Sequence, residues 1–383
     1  MNQEQQENQL NQEQNLEQEQ INSSTLSDVL LDVKNLQVSF RLNRKKVIQI
    51  VRGVDLKIRR GQIVGLVGES GSGKSVTSKS ILNINQFDIT DSKKMVLYSQ
   101  FKTDPNQIET IDLANLKPNQ WTKVRGKKIG YIPQDPLTSL NPTRTIKKQL
   151  LDVLKHDDRF ENNEQKLNYI IELLEAFGIH DAKNKINSYP HTFSGGMKQR
   201  VVIAMVVAAQ PDLIIADEPT TALDPTVQAS VLTLFEDIRN KYNISIIFIS
   251  HNISVIAKFC DYIYVMYAGR VIERGTKIDI FTNPAHPYTW ALISSIPENK
   301  NEKLYNIPGS PPDMANLGVG DPFAPRNQYA MAIDFKKEPP LMKISDTHYA
   351  ATWLLDPRAP KVELSEQLKN RIEFFRKVFT ANE

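Results

Sequence analysis

A short apolar run, Ile63-Val64-Gly65-Leu66-Val67, leads directly into Gly68-Glu69-Ser70-Gly71-Ser72-Gly73-Lys74-Ser75. No other stretch constrains the fold as strongly. An apolar run without polar alternation is the pattern of a central strand buried on both faces. Gly68, Gly71 and Gly73 then permit a tight turn whose backbone N–H groups converge on one point. A helix beginning at Lys74 adds its own N-terminal N–H groups there. Strand, glycine loop and helix together make an anion cradle. In this pattern Lys74 reaches the β- and γ-phosphates of a nucleotide, and Ser75 places its hydroxyl on Mg²⁺. Glu69, Ser70, Ser72 and Val76 complete the cradle. The alternative reading of the same residues is a structural glycine turn.

Further apolar runs lie at residues 213–216, 244–249 and 262–266, separated by helical stretches such as 226–242. Residues 31–33 and 36–40 alternate as two strands. Strands alternating with helices predict a parallel sheet covered on both faces. Residues 138–210 carry helical pattern only, and 163–177 place apolar residues at helical spacing. A helical subdomain inserted into the sheet domain is expected there. Residues 282–356 are proline-rich and irregular, and 363–379 form a last amphipathic helix. The first 28 residues, mostly Gln, Asn and Glu, cannot bury enough apolar surface to order themselves. They are expected to be a disordered tail or a frayed helix.

Composition removes several function classes. The chain has 383 residues, 40% of them hydrophobic, which suits two to three domains. Net charge is only +3, so no global electrostatic case for nucleic acid exists. The longest apolar run, 201–209, is far short of the roughly 20 residues of a membrane span. No basic segment followed by an apolar stretch opens the chain, so a secretory signal is not expected. The one cysteine, Cys260, rules out an intrachain disulfide and fits a reducing cytosol as a packed thiol.

Asp217 ends an apolar strand, where a carboxylate can hold the Mg²⁺ shell, often through water. Glu218 follows and is placed to orient an attacking water. Alone, this pair reads as a helix cap; beside a phosphate loop it reads as catalytic. Ser194-Gly195-Gly196-Met197 opens another helix, whose N-terminus is a second anion site.

These motifs, with Gln134 and His251 in order between and after them, resemble the ATP-binding subunit of an ABC transporter. The resemblance implies an α/β fold: a P-loop NTPase ABC nucleotide-binding domain with a parallel-sheet core, a small antiparallel β part, an inserted helical subdomain and a C-terminal extension. It implies a domain over 29–281 and an extension over 282–383. Gln134 would contact Mg²⁺ and the water and link hydrolysis to the membrane subunits. His251 would contact the γ-phosphate. Ser194, Gly195, Gly196 and Met197 would meet the γ-phosphate held by an opposite subunit, and Ala222-Leu223-Asp224 would cross that interface. Phe40 aligns with the aromatic that stacks adenine, with a core phenylalanine as the alternative.

Residues 132–142, 193–200, 217–224, 283–289 and 307–312 resemble the D-type ATP-binding subunit of oligopeptide permeases. Met197 and Thr220-Thr221 separate it from the paired F type. The subfamily implies a peripheral ATPase on the cytoplasmic face of the cell membrane. Its partners would be an F-type ATPase subunit, two permease subunits and, indirectly, an extracellular peptide-binding lipoprotein. Many members hold an iron–sulfur cluster on four cysteines. The matching positions here are Asp321, Asn327, Asp334 and Thr352, so no cluster is expected. Hydrogen bonds among the four, or a hard cation, are the alternatives. For function, the alternatives are import of dipeptides, nickel or another small solute, or a soluble ABC ATPase.

Overall fold

The computed structural model describes residues 28–41, 46–85, 88–100, 107–135, 138–221, 224–296 and 307–381. Of the N-terminal tail only Asp28 is among them, and Pro136, Leu137, Ala222 and Leu223 lie outside them. Along the chain the strands are β1 (Val29–Arg41), β2 (Val47–Arg59), β3 (Ile63–Val67), β4 (Asp88–Asp91), β5 (Lys94–Gln100), β6 (Ile108–Asp112) and β7 (Ile129–Ile132). They continue as β8 (Leu213–Asp217), β9 (Ser245–Ser250), β10 (Tyr262–Tyr267), β11 (Arg270–Thr276), β12 (Met342–Lys343) and β13 (Tyr349–Ala350). An antiparallel sheet runs β2-β1-β5-β6, with β4 also paired to β1. The larger sheet runs β12-β13-β11-β10-β3-β9-β8-β7. Its members from β10 to β7 are parallel, as the βα alternation predicts.

The parallel strands sit between two apolar clusters. In β3, Ile63 and Val67 enter one cluster and Val64 and Leu66 the other. In β8, Ile214 and Ala216 take the first and Leu213 and Ile215 the second. A period of two sends successive side chains to opposite faces, so a doubly covered strand needs apolar residues throughout. Gly65 is required for close packing. A Cβ there would stand 2.9 Å from Ile256 Cγ2 and 3.0 Å from Cys260 Sγ. Cys260 is a buried, packed thiol, and burial pushes its pKa well up.

Between β7 and β8 the chain is helical, with Ile146–Val153, Asn163–Ala176, Ala182–Lys185 and Gly195–Ala208. Thr145, Asn162 and Ser194 cap three of these by accepting backbone N–H groups.

Two expectations differ from the structure. The two short strands at 31–33 and 36–40 are one strand, β1. Asn35 joins them at φ 51°, with register shifts around it, and donates its N–H to Asp55 Oδ1 at 2.7 Å. The stretch 282–356 is not wholly irregular. Pro287–Ser294 is a helix, with His286 as cap and Pro287 at its first turn. All eight of its residues are buried, so it has no polar face to give an amphipathic period. β12 and β13 form a hairpin, and β13 pairs with β11 to extend the main sheet. The last helix, Glu366–Thr380, packs Phe375 against Phe281 with ring centroids 4.6 Å apart. Tyr288, Ile293, Phe323 and Phe375 share one apolar cluster with Ile63 and Val67.

One buried charge ties these late segments down. Glu273 of β11 is 0% exposed. Its carboxylate accepts from Ala285 N at 2.7 Å and His286 N at 2.9 Å, and meets His348 Nε2 at 2.8 Å.

Candidate functional site

β3 ends at Val67, and the helix Lys74–Ile81 begins seven residues later, with Gly73 at φ 96° as its cap. Gly68 lies so close to β10 that a Cβ would come 2.1 Å from Met266 O. Gly71, at φ 81°, faces open space. Gly269 N donates to Ser72 O at 3.0 Å and holds the loop from the side. Lys74 folds across the loop. Its Nζ donates to Gly68 O at 2.8 Å and Glu69 O at 2.9 Å. Burial lowers its pKa, while Glu218, Asp217 and Glu69 pull the other way.

β8 delivers Asp217, 1% exposed, to the mouth of this loop. Ser75 Oγ donates to Asp217 Oδ1 at 2.7 Å, and Tyr131 Oη donates to Oδ2 at 2.9 Å. Burial, reinforced by the Asp217 charge, raises the Tyr131 pKa strongly, which keeps the phenol a donor. A hydroxyl, a carboxylate and the Gln134 amide are hard oxygen donors, a set that fits Mg²⁺.

Glu218 adopts φ 49°, a left-handed conformation that costs a non-glycine residue energy and is typical of functional sites. Its N–H donates to Ile249 O at 3.1 Å on β9. Its Oε2 gathers three groups: Thr221 Oγ1 at 3.0 Å, Gln134 Nε2 at 3.2 Å and His251 Nδ1 at 3.2 Å. A carboxylate only accepts, so this contact places a proton on His251 Nδ1.

A cleft of about 610 Å³ opens over the loop. Phe40, Ile48, Ile50, Val76 and Met314 give it apolar walls; Ser70, Gly71, Gly73, Lys74, Ser75, Gln134 and Glu218 line the rest. The structure therefore gathers Phe40 with the loop, although β1 and β3 belong to different sheets. Ser194, Gly195, Gly196, Met197 and Asp224 do not line this cleft. Ser194 and Gly195 are exposed, and a Cβ on Gly195 would meet nothing within 4 Å. Ser194 Oγ caps its helix by accepting from Met197 N at 3.3 Å. Asp224 caps the helix Pro225–Tyr242, accepting from Thr226 N and Val227 N at 3.0 Å each.

Sequence reasoning missed Tyr131, Thr221, Met314, Tyr288 and Arg326. Thr221 lies three residues after Glu218, inside the stretch 217–224 that carries the family resemblance. Tyr288 lies in the stretch 283–289 that carries the subfamily resemblance, but neither it nor Tyr131, Met314 or Arg326 shows in sequence its contact with the site. The four positions matched to cysteines do not bond one another through side chains. Each supports its own turn: Asp321 Oδ1 accepts from Phe323 N, Asn327 Oδ1 from Tyr329 N, Asp334 Oδ2 from Met331 N and Thr352 Oγ1 from Leu354 N. Only a backbone bond, Asp321 N to Asp334 O at 2.7 Å, joins two of them. Among the described residues no group of three or more His, Cys, Asp or Glu is arranged to hold a metal ion.

Comparison with known proteins agrees with this geometry. Residues 51–221 match the ABC transporter family, and residues 272–333 match the oligopeptide/dipeptide transporter C-terminal region. The chain is 47% identical to the oligopeptide transport ATP-binding protein OppD of Mycoplasma genitalium, over 91% of this chain and 94% of that protein. It is 44% identical to the dipeptide transport ATP-binding protein DppD of Lactococcus lactis, over 89% and 95%. Among solved structures it is similar to a dimeric ATP-binding cassette in a post-hydrolysis state bound to ADP and Pi. That match has a TM-score of 0.54 and 25% identity, covering 65% of this chain and 99% of the other. This chain is an ATPase of the ABC transporter family, belonging to the ATP-binding proteins that carry the oligopeptide/dipeptide transporter C-terminal region.

Proposed function

We propose that this ATPase powers uptake of oligopeptides through a membrane importer. The observation that carries the hydrolytic part is the convergence of Gln134, Thr221 and His251 on one oxygen of Glu218, beside the Ser75–Asp217 pair. Glu218 orients the attacking water and accepts its proton. Lys74, the loop N–H groups from Ser70 to Ser75, and Val76 hold the phosphates, while the Glu69 N–H is taken by Tyr288; Phe40 stacks the adenine. Ser75 and Asp217, with Gln134, would hold Mg²⁺, which neutralises phosphate charge when bound. His251 stabilises charge on the transferred phosphoryl group. With Nδ1 donating to Glu218, Nε2 donates only when the ring is an imidazolium.

The exposed helix N-terminus at Ser194-Gly195-Gly196-Met197 supports a site completed by a second, F-type ATPase subunit, with Asp224 at the same interface. Two permease subunits and an external peptide-binding lipoprotein complete the importer, and the chain sits on the cytoplasmic face of the membrane. Among the described residues no helix is long and apolar enough to cross a membrane, which fits that placement. The relative named for oligopeptide transport supports the substrate; the dipeptide-transport relative favours a second reading, dipeptide import.

The test is uptake of a labelled oligopeptide and a labelled dipeptide in cells carrying the wild-type chain or Lys74→Ala. Loss of oligopeptide uptake, with protein level intact, supports the reading. Loss of dipeptide uptake alone moves the substrate to dipeptides. Unchanged uptake of both refutes a peptide substrate.

A further inference from the structure

The second residue of the glycine loop is gripped by residues 219 and 257 positions later in the chain. The Glu69 carboxylate meets the Arg326 guanidinium twice, Nη1 to Oε2 at 2.6 Å and Nη2 to Oε1 at 3.0 Å. The Glu69 N–H donates to the Tyr288 hydroxyl at 2.8 Å. Neither partner is free to move. The Arg326 side chain is 6% exposed, and it also donates to Pro308 O at 2.7 Å and Tyr267 Oη at 3.1 Å. Tyr288 is fully buried, its ring against Tyr267 and Phe323 with centroids 4.7 and 5.3 Å away.

A buried ion pair is a weak source of stability, because desolvation offsets the attraction. A two-pronged guanidinium–carboxylate contact does supply geometry, since it fixes the planes of both groups. The residue fixed here matters. Tyr288 turns the Glu69 N–H toward the protein, while the Glu69 carbonyl accepts from Lys74 Nζ at 2.9 Å. The side chain is locked by Arg326 and the backbone by Tyr288. The loop is thereby set in one shape before any phosphate arrives.

We propose that Arg326 and Tyr288 are positioning residues for phosphate binding, acting through Glu69 on the glycine loop. The inference rests on the reading of that loop as the ATP site. It makes these C-terminal residues part of the nucleotide machinery, coupling the packing of Tyr288 and Arg326 to affinity for ATP.

The experiment uses the full chain and titrates Mg-ATP against wild type, Arg326→Gln, Tyr288→Phe, Glu69→Gln, the double variant Glu69→Gln/Arg326→Gln, and Lys74→Ala. Arg326→Gln is expected to raise Kd about tenfold or more, the worth of a charge-assisted hydrogen bond, and Tyr288→Phe about fivefold, the worth of a neutral one. The double variant should bind no worse than Arg326→Gln alone, because both changes break one contact. In the assembled ATPase, KM for ATP should rise while kcat stays within about twofold, a split that general destabilisation does not produce. Wild-type Kd in both Arg326→Gln and Tyr288→Phe, with binding lost in Lys74→Ala, overturns the proposal and leaves the ATP site standing. Additive effects in the double variant overturn the route through Glu69. Normal binding by Lys74→Ala overturns the ATP site and the proposal together. If Arg326→Gln does not fold, Tyr288→Phe, which removes a single hydroxyl, decides.

Discussion

Replacing Glu218 with Gln is expected to separate chemistry from binding in the proposed site. Glu218 is 9% exposed, and its Oε2 holds Thr221, Gln134 and His251 at 3.0–3.2 Å. A glutamine has the same length, and its amide oxygen accepts the same three contacts. Its nitrogen has no basic lone pair, so the side chain no longer takes a proton from water. Loss of a positioned general base costs about 10²–10⁴ in rate. At 1.36 kcal/mol per tenfold this raises the barrier by about 3–5 kcal/mol. Stability changes much less. Three bonds weaken from charged to neutral acceptor, but a carboxylate no longer has to be desolvated, and the net effect is about 1 kcal/mol or below. The left-handed backbone at φ 49° strains both residues alike. The expected variant therefore binds Mg-ATP with a Kd within about threefold of wild type, yet turns over about a hundred to ten thousand times more slowly. The assay is phosphate release by the assembled complex at saturating ATP, paired with nucleotide titration. Turnover close to wild type would refute the role of Glu218. Loss of binding together with turnover would refute the separation of the two roles.

Four further predictions concern neighbouring features. Tyr131→Phe removes the donor to buried Asp217 Oδ2, and Mg²⁺-dependent ATP affinity should fall about tenfold, measured by titration with and without Mg²⁺. Phe40→Ala should weaken ATP binding but leave inorganic triphosphate binding unchanged, because only the base loses its stacking face. Asp321 is held protonated to about 6, against 3.8 in the unfolded chain, chiefly by burial. The folded pKa is the higher one, so the associated stability is complete below 3.8 and is lost as pH rises through about 6. The loss is about 3 kcal/mol, and Asp321→Asn should flatten that part of the denaturation profile, as read by urea midpoints across about pH 4–7. Finally, the purified chain should contain no stoichiometric iron or acid-labile sulfide, because the four matched positions carry no thiolate; elemental analysis decides.

The parallel sheet and the glycine loop were legible because their physics is local. A run such as Ile63–Val67 has to be buried on both faces, and a left-handed turn has to use glycine where a Cβ would strike Met266 O. Helix starts were legible at Ser194 and Lys74 for similar reasons. The antiparallel sheet was only partly visible. β2 interleaves Val, Leu and Ile with Gln, Arg, Asp and Lys, and β1 is interrupted by the left-handed Asn35. The buried helix Pro287–Ser294 hid because it has no exposed face to mark its period. In the site, Lys74, Ser75, Gln134, Asp217, Glu218 and His251 announce themselves through motif order. Met314, Tyr288 and Arg326 reach the loop only because the chain folds back on its own beginning. Such contacts are a property of tertiary packing, and no window of sequence contains them.

The anchoring of Glu273 bears on how this chain can be shortened. Any deletion that removes His348 strips Glu273 of its ring partner and of the paired strand β13 beside it, leaving two amide donors at 2.7 and 2.9 Å. Removing one partner of an ion pair built into a protein interior is more damaging than never having placed the pair there. The segment from His348 onward is therefore not an appendage that a lineage sheds piece by piece, nor one that can be trimmed to obtain a minimal catalytic unit. A shorter descendant first has to neutralise position 273, and an accidental stop codon upstream of His348 should yield a protein cleared by proteolysis rather than a smaller enzyme.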